Sequence, residues 1–272
     1  MGSGGVFNET MIAQGNTAQI FSLGEDKILK LFVEGFPREA VVGEYNNSRI
    51  AARALSLVPK VYELTERDGR QGIVFERVTG EDLLEKMLRD PKKMGLYARE
   101  FARYHAKIGQ KVTEPMRTVK EKLRYEIGHE TNLAEEEKET VLRALNALPD
   151  GDRLCHGDFH PGNVMAADKG AYLIDWMTAA KGDPAADAAR TLILLRYGEP
   201  MHIGFFKLLL IRFGMNRLCS AYLKEFCTLT GIGKDRIKEW TLPVAAARLD
   251  EGMTEHERQI LVKLVRKELK KR

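Results

Sequence analysis

The chain has 272 residues, 44% hydrophobic and 30% charged, with a formal net charge of +4. That length suits one large domain or two lobes, and the composition is that of an ordinary globular protein. The charge is too small to argue for a nucleic-acid partner, and no apolar run reaches the ~20 residues that span a bilayer. Cys155, Cys219 and Cys227 lack metal-ligand spacing and leave one over in any disulfide scheme, which implies reduced thiols. The opening MGSGG lacks the charged and apolar regions of a signal peptide, and Val6 rules out a myristoylation motif. A cytoplasmic location is expected. No feature sets an oligomeric state.

In chain order, five β-rich runs come first, at residues 10–14, 18–22, 27–33, 58–64 and 72–78. Turn signals separate them at Gly15-Asn16, Gly24-Glu25-Asp26 and Asp68-Gly69. Residues 38–57 have helical composition and end before Pro59. One helix among antiparallel strands is an α+β arrangement. After Gly80 the pattern turns helical. Glu81 and Asp82 are expected to open one helix, and Pro91 the next. Further helices are expected at 116–128 and 134–148, then a strand-like stretch over 154–174. Asp183-Pro184 reads as an N-cap and first-turn proline, and Asp183 as nothing more than that cap. The apolar run 203–213 reads as a core helix. A boundary is expected near Gly80, with residues 1–79 as a sheet lobe and 80–272 as a helical lobe.

The chemistry concentrates in Leu154-Cys-His-Gly-Asp-Phe-His-Pro-Gly-Asn-Val164, followed by Ile174-Asp-Trp176. Phosphoryl transfer needs a group to orient the attacking hydroxyl and hard oxygen ligands for magnesium. Asp158, Asn163 and Asp175 are the right residue types. Pro161 and Gly162 forbid a regular helix, so this segment is a loop able to turn Asn163 back towards Asp158. The alternation of His156, Asp158 and His160 could suggest a hydrolase metal site, but no further His or Cys cluster completes one.

HGDFHPGN followed by IDW resembles the signature of the aminoglycoside phosphotransferase and choline kinase superfamily, distant relatives of protein kinases. The resemblance runs from Gly15 to about Asp250. It implies a protein-kinase-like two-lobed fold, with an N-terminal antiparallel sheet lobe carrying one helix and a larger helical C-terminal lobe. It also implies ATP and Mg2+ as cofactors. By position, Asp158 matches the catalytic base, Asn163 and Asp175 the magnesium ligands, His156 a structural loop residue and Asp187 an acid bracing that loop. His160 reads first as a loop-bracing residue, and Trp176 as packing.

On the nucleotide side, Gly15, Asn16 and Thr17 lie in a turn between strands that could aim backbone N–H groups at phosphates. Lys30 sits inside an apolar strand run, where burial is costly without an anion. The resemblance assigns it to the α- and β-phosphates with Glu44 as partner, Glu39 being a poorer substitute. It assigns the adenine contact to the backbone of Glu76 to Val78, with Phe75 behind.

The acceptor is expected to be a small-molecule hydroxyl, because the loop is HGD and no activation segment follows Asp175-Trp176-Met177. A protein-directed Ser/Thr kinase and a non-catalytic nucleotide-binding module are the alternatives. Asp250, Glu251, Glu255 and Glu257 could form a negative wall for an amine, though capping and helix-dipole effects explain them more simply. The basic end from Lys263 to Arg272 alternates with apolar residues at helical spacing and reads as a docked final helix.

Overall fold

The computed structural model describes residues 10–167, 170–198 and 205–271, with side chains 205–215 outside the described set. The chain forms two compact units. One runs as far as Asp82 and takes in Asn163–Thr178, and the other comprises Leu83–Gly162 and Ala179–Arg272.

In the first unit, β1 (Met11–Gln14), β2 (Ala18–Leu23), β3 (Lys27–Phe32), β4 (Val61–Arg67) and β5 (Arg70–Glu76) form an antiparallel sheet. Its strand order is β1-β2-β3-β5-β4. Asp68 and Gly69, with φ of 50° and 73°, close the β4–β5 hairpin. Two successive positive φ angles match the strand twist, which is why Asp-Gly suits this turn. Helix α1 (Arg38–Ala54) follows β3 and packs on β4 and β5.

Alternation along β3 sends Leu29 and Leu31 to one face, with Val74, Phe21 and Leu23. Phe32 goes to the other face, where it packs with Ala18, Val41, Ile73, Phe75 and Met177. Lys30 shares the Phe32 face and therefore points towards α1. The expected helix 38–57 stops at Ala54, where Leu55 turns extended, and β4 starts three residues later than expected.

A second sheet in this unit has the order β6 (Glu81–Asp82), β8 (Val164–Ala167) and β9 (Gly170–Leu173). Glu81 and Asp82 were expected to open a helix. They pair with Ala166 and Met165, and the expected helix begins directly after them, at Leu83. Backbone crowding fixes the residue just before them, since a Cβ on Gly80 would lie 2.1 Å from the Ala166 carbonyl oxygen.

The second unit is built from α2 (Leu83–Arg89), α3 (Met94–Ile108), α4 (Val119–His129), α5 (Glu135–Ala147), α6 (Pro184–Tyr197), α7 (Phe205–Thr230), α8 (Lys234–Glu239), α9 (Thr241–Arg248) and α10 (Glu255–Leu269). It also contains one strand pair, β7 (Arg153–Cys155) with β10 (Ala180–Gly182). Pro91 starts a single 3-10 turn ahead of α3, and a Thr118–Glu121 capping box starts α4. Phe101 on α3 stacks on Phe159 at 4.4 Å and meets Tyr222 on α7.

Asp183 caps α6 by accepting from the Ala185 amide, but it is more than a cap. Its other oxygen accepts from Arg236 at 2.8 Å and from the Trp240 indole at 3.2 Å, tying α8 and its end to the start of α6. Helix α10 is docked as expected, with Leu261 and Val265 fully buried and Arg266 bonded to Glu137 of α5. Of the expected core helix 203–213, α7 begins at Phe205; residues 203 and 204 lie outside the described residues. Among the described residues no helix is long and apolar enough to cross a membrane.

Candidate active site

In the first unit, Lys30 Nζ donates to Glu44 Oε1 at 2.6 Å and to Asp175 Oδ1 at 3.2 Å. The three residues come from β3, α1 and the segment after β9, 145 positions apart at the widest. Glu39 is exposed and takes no part. Burial works to lower the Lys30 ammonium's pKa, but the carboxylates of Asp175 and Glu44 outweigh it and hold the group above its ordinary value.

Glu44 behaves differently. Burial, helped by the nearby Asp175 charge, pushes its carboxyl up to about 6 against the pull of Lys30. Its Oε2 is buried without a hydrogen-bond partner among the described residues, as is the Ser48 hydroxyl one turn on. A carboxylate satisfied on one oxygen only is costly to ionise.

A pH dependence follows. The folded carboxyl keeps its proton more tightly than its ordinary value of 4.5 allows, so its contribution to stability is complete below about 4.5 and is lost as pH rises through about 6. The difference corresponds to roughly 2 kcal/mol. Urea unfolding of wild type and Glu44→Gln between pH 4 and 7 should show wild type losing stability relative to the variant by about that amount. Parallel curves would mean Glu44 ionises at its ordinary pH.

The β8–β9 hairpin brings the two suspected metal ligands to one end. Val164 pairs with Leu173, and the Ile174 amide donates to the Asn163 carbonyl at 3.1 Å, so Asn163 and Asp175 flank the open end of the hairpin. Asn163 is buried, whereas Asp175 is 43% exposed and has a left-handed φ of 65°. Trp176 is buried beneath, its indole N–H donating to the Leu173 carbonyl. One amide and one carboxylate fit magnesium, which takes hard oxygen donors and keeps several waters. Among the described residues there is no cluster of three or more His, Cys, Asp or Glu that could hold a metal.

The turn at Gly15 is closed by its amide donating to the Ala18 carbonyl at 2.9 Å, and the Thr17 carbonyl accepts from Val33. Neither Gly15 nor Asn16 has a positive φ, and a Cβ at Gly15 would meet its nearest atom at a comfortable 3.7 Å. The turn alone therefore does not demand glycine. At the end of β5 the Glu76 amide donates to Lys60 and the Arg77 amide to Asp26, while the Glu76 carboxylate accepts from the Lys60 amide. Val78 provides the next amide along. Phe75 packs in the core cluster with Ile73 and Val41.

In the second unit, α6 grips the loop that carries Asp158. Asp187 Oδ2 accepts from the His156 amide at 2.7 Å and Oδ1 from the Gly157 amide at 2.8 Å. Gly157 has φ 77°, a conformation in which glycine costs nothing. Burial alone would raise the Asp187 pKa, yet His105, His156 and the Gly157 amide together hold it below the usual range. His105, which sequence reading passed over, bonds Asp187 through Nε2 at 3.0 Å and the Tyr222 hydroxyl through Nδ1 at 2.6 Å. Its only sequence signal was a histidine on the apolar side of an amphipathic helix.

Asp158 itself is partly exposed. Its amide donates to His156 Nδ1, and its carboxylate lies 3.8 Å from Arg190 and 3.7 Å from His160. His160 Nδ1 accepts from the Gly162 amide, as a loop-bracing residue would.

The acidic wall does not form as suspected. Glu251 accepts from Arg190 and Arg248 at 2.7 Å each, and the buried Glu257 accepts from Arg248 at 2.8 Å. Asp250 is exposed, and Glu255 lies in the first turn of α10. Capping therefore accounts for Glu255, while Glu251 and Glu257 are arginine counter-ions. A cavity of about 440 Å³ in this unit is lined by His105, Asp183, Asp187, Phe226, Ile232 and Arg236 among others. Asp187 lines this cavity and Asp158 does not.

The pattern of the phosphotransferase enzyme family designated APH matches residues 10–219 of this chain. Among solved structures, the chain is similar to a thermostable mutant of aminoglycoside phosphotransferase APH(4)-Ia in ternary complex with ADP and hygromycin B. Identity is 13%, coverage 97% of this chain and 93% of that one, and the TM-score 0.63. It is also similar to amicoumacin kinase hAmiN in complex with AMP-PNP, Ca2+ and Ami, at 15% identity, 97% and 88% coverage and TM-score 0.61. For aminoglycoside-3'-phosphotransferase of type VIII the values are 18%, 88% and 93%, and 0.54. No curated protein matches the chain. At such identities the likeness establishes the kinase-like fold, an antiparallel sheet with one helix and a larger helical part.

Proposed function

The chain belongs to the phosphotransferase enzyme family and is an ATP-dependent phosphotransferase acting on a hydroxyl, and on that premise we propose a small-molecule acceptor. The observation carrying this reading is Lys30 held between Glu44 and Asp175, with Asn163 beside Asp175 at the hairpin end. A buried lysine bound by two carboxylates is poised to exchange one of them for phosphate oxygens.

The nucleotide side of the proposal lies in the first unit. Lys30 binds the α- and β-phosphates, the amides of Gly15, Asn16 and Thr17 cover them, and the backbone from Glu76 to Val78 meets adenine. The room above Gly15 fits this use, since a backbone without a side chain lets a phosphate approach closely. Asn163 and Asp175 hold magnesium, which offsets phosphate charge. Asp158, in the second unit, accepts the hydrogen bond of the acceptor hydroxyl and takes its proton as the hydroxyl oxygen bonds to the γ-phosphorus and the bond from that phosphorus to the departing ADP breaks. Asp187, bonded to the loop backbone and not to the reacting groups, keeps Asp158 oriented.

The small-molecule assignment rests on the family and on the HGD loop. The similar structures hold small molecules beside the nucleotide, hygromycin B in one and Ami in another. Capture of an amine by Glu251 and Glu257 is not part of the proposal, because arginines occupy both. A panel of amino alcohols, sugars and aminoglycosides, assayed with labelled ATP and magnesium beside a protein control, tests it. Transfer to one small-molecule class is the expected result. Comparable labelling of a protein serine or threonine would reassign the acceptor.

A further inference from the structure

Residues 187, 190 and 191 of α6 project from one face, at i, i+3 and i+4, onto the backbone of residues 156–159. Asp187 takes the His156 and Gly157 amides, Arg190 Nε donates to the Gly157 carbonyl at 3.1 Å, and the Thr191 hydroxyl donates to the Phe159 carbonyl at 2.9 Å. Asp187 and Thr191 do nothing beyond this grip and their own buried bonds. Arg190 does more: its Nη2 is shared between Glu251 at 2.7 Å and Asp158 at 3.8 Å.

We propose that Arg190 is a positioning residue for Asp158 and that Glu251 is the counter-ion that holds Arg190 off that carboxylate. This rests on the reading of Asp158 as the base. The charges alternate outward from Asp158 through Arg190, Glu251 and Arg248 to Glu257, each joined to the next. With Glu251 in place, the Arg190 guanidinium 3.8 Å from Asp158 is already neutralised at hydrogen-bonding distance, which weakens its pull on that carboxylate. Without it, a buried guanidinium with one empty direction turns towards Asp158, since an unpaired buried charge is costly and Glu126, the other carboxylate facing it, is already bonded to Lys122.

Glu126 of α4 faces Arg190 and Glu251 but is bonded to Lys122 at 2.7 Å, and burial holds its pKa up. Lys122 in turn helps Arg190 and Arg248 hold the Glu251 carboxyl below its ordinary value despite burial. His160, on the loop itself, faces the other oxygen of Asp158 at 3.7 Å.

The test needs no acceptor. In the full chain with 13C-labelled aspartate, the carboxyl resonance of Asp158, assigned by its loss in Asp158→Asn, is titrated in wild type, Glu251→Gln, Arg190→Gln and a His160→Gln control. Glu251→Gln should move the Asp158 midpoint to lower pH and Arg190→Gln to higher pH. A role confined to bracing the loop would move both in the same direction or not at all, and either result overturns the proposal. So does a His160→Gln shift that equals both. Should Arg190→Gln fail to fold, Glu251→Gln decides alone, and a midpoint that stays or rises rejects the idea. If the midpoints move as expected but Asp158→Asn retains phosphotransfer, the charge relay stands and the base assignment falls.

Discussion

Asp158→Asn is expected to lower kcat by roughly 10²–10⁴ while leaving magnesium-nucleotide affinity unchanged, the scale of losing a positioned general base. The variant should fold, because several of the bonds that shape the loop do not involve the Asp158 side chain. Asp187 holds the His156 and Gly157 amides, Arg190 the Gly157 carbonyl and Thr191 the Phe159 carbonyl. Asparagine keeps the size of the side chain and still accepts a hydrogen bond, but it cannot take a proton. Steady-state kinetics on the acceptor found by the panel, beside calorimetric nucleotide titration, separate the two effects. Turnover near that of wild type would remove Asp158 from the mechanism.

Asp175→Ala should fail at a different step. The variant loses one of two proposed magnesium ligands and one of the two carboxylates bonded to Lys30. Nucleotide affinity measured with magnesium is expected to fall about 10–100-fold, the range seen when groups supporting a bound metal are removed. Affinity without magnesium should fall much less. Lys30 would lose the largest influence that raises its pKa. Titration calorimetry at several magnesium concentrations checks this, and an unchanged metal dependence would rule Asp175 out as a ligand.

Those two residues were legible because their signal is local. Asp158, Asn163 and Asp175 fall within eighteen consecutive residues, and the loop-forming Pro161-Gly162 between them is visible in the chain itself. Alternating strands and turn pairs likewise exposed the first sheet, whose register follows from hairpins such as the one at Asp68-Gly69. What escaped was decided at long range. Glu81 and Asp82 do stand at the start of a helix, but nothing local shows that they also pair with Ala166 and Met165 across the chain. Glu251 looks like a solvated or ligand-binding acid until Arg190, 61 residues earlier, bonds to it. Acidic residues carry no local mark of which cation they will meet, so the amine wall was a fair guess from composition and wrong in space. The His105–Asp187–Tyr222 contact, spanning three helices, was hidden for the same reason.

The left-handed backbone at Asp175 also bears on how this protein would respond to directed evolution. Any residue other than glycine pays roughly 1–2 kcal/mol to hold a φ of 65°. The partly exposed ion pair to Lys30 offsets little of it. A library selected for heat tolerance alone should therefore enrich Asp175→Gly, a substitution that relaxes the chain and discards the carboxylate together. Melting temperature and turnover would diverge at this one codon, with the hardiest clones the least active. Selection schemes for this enzyme need an activity gate at every round, because thermal survival by itself rewards erasing the proposed metal site.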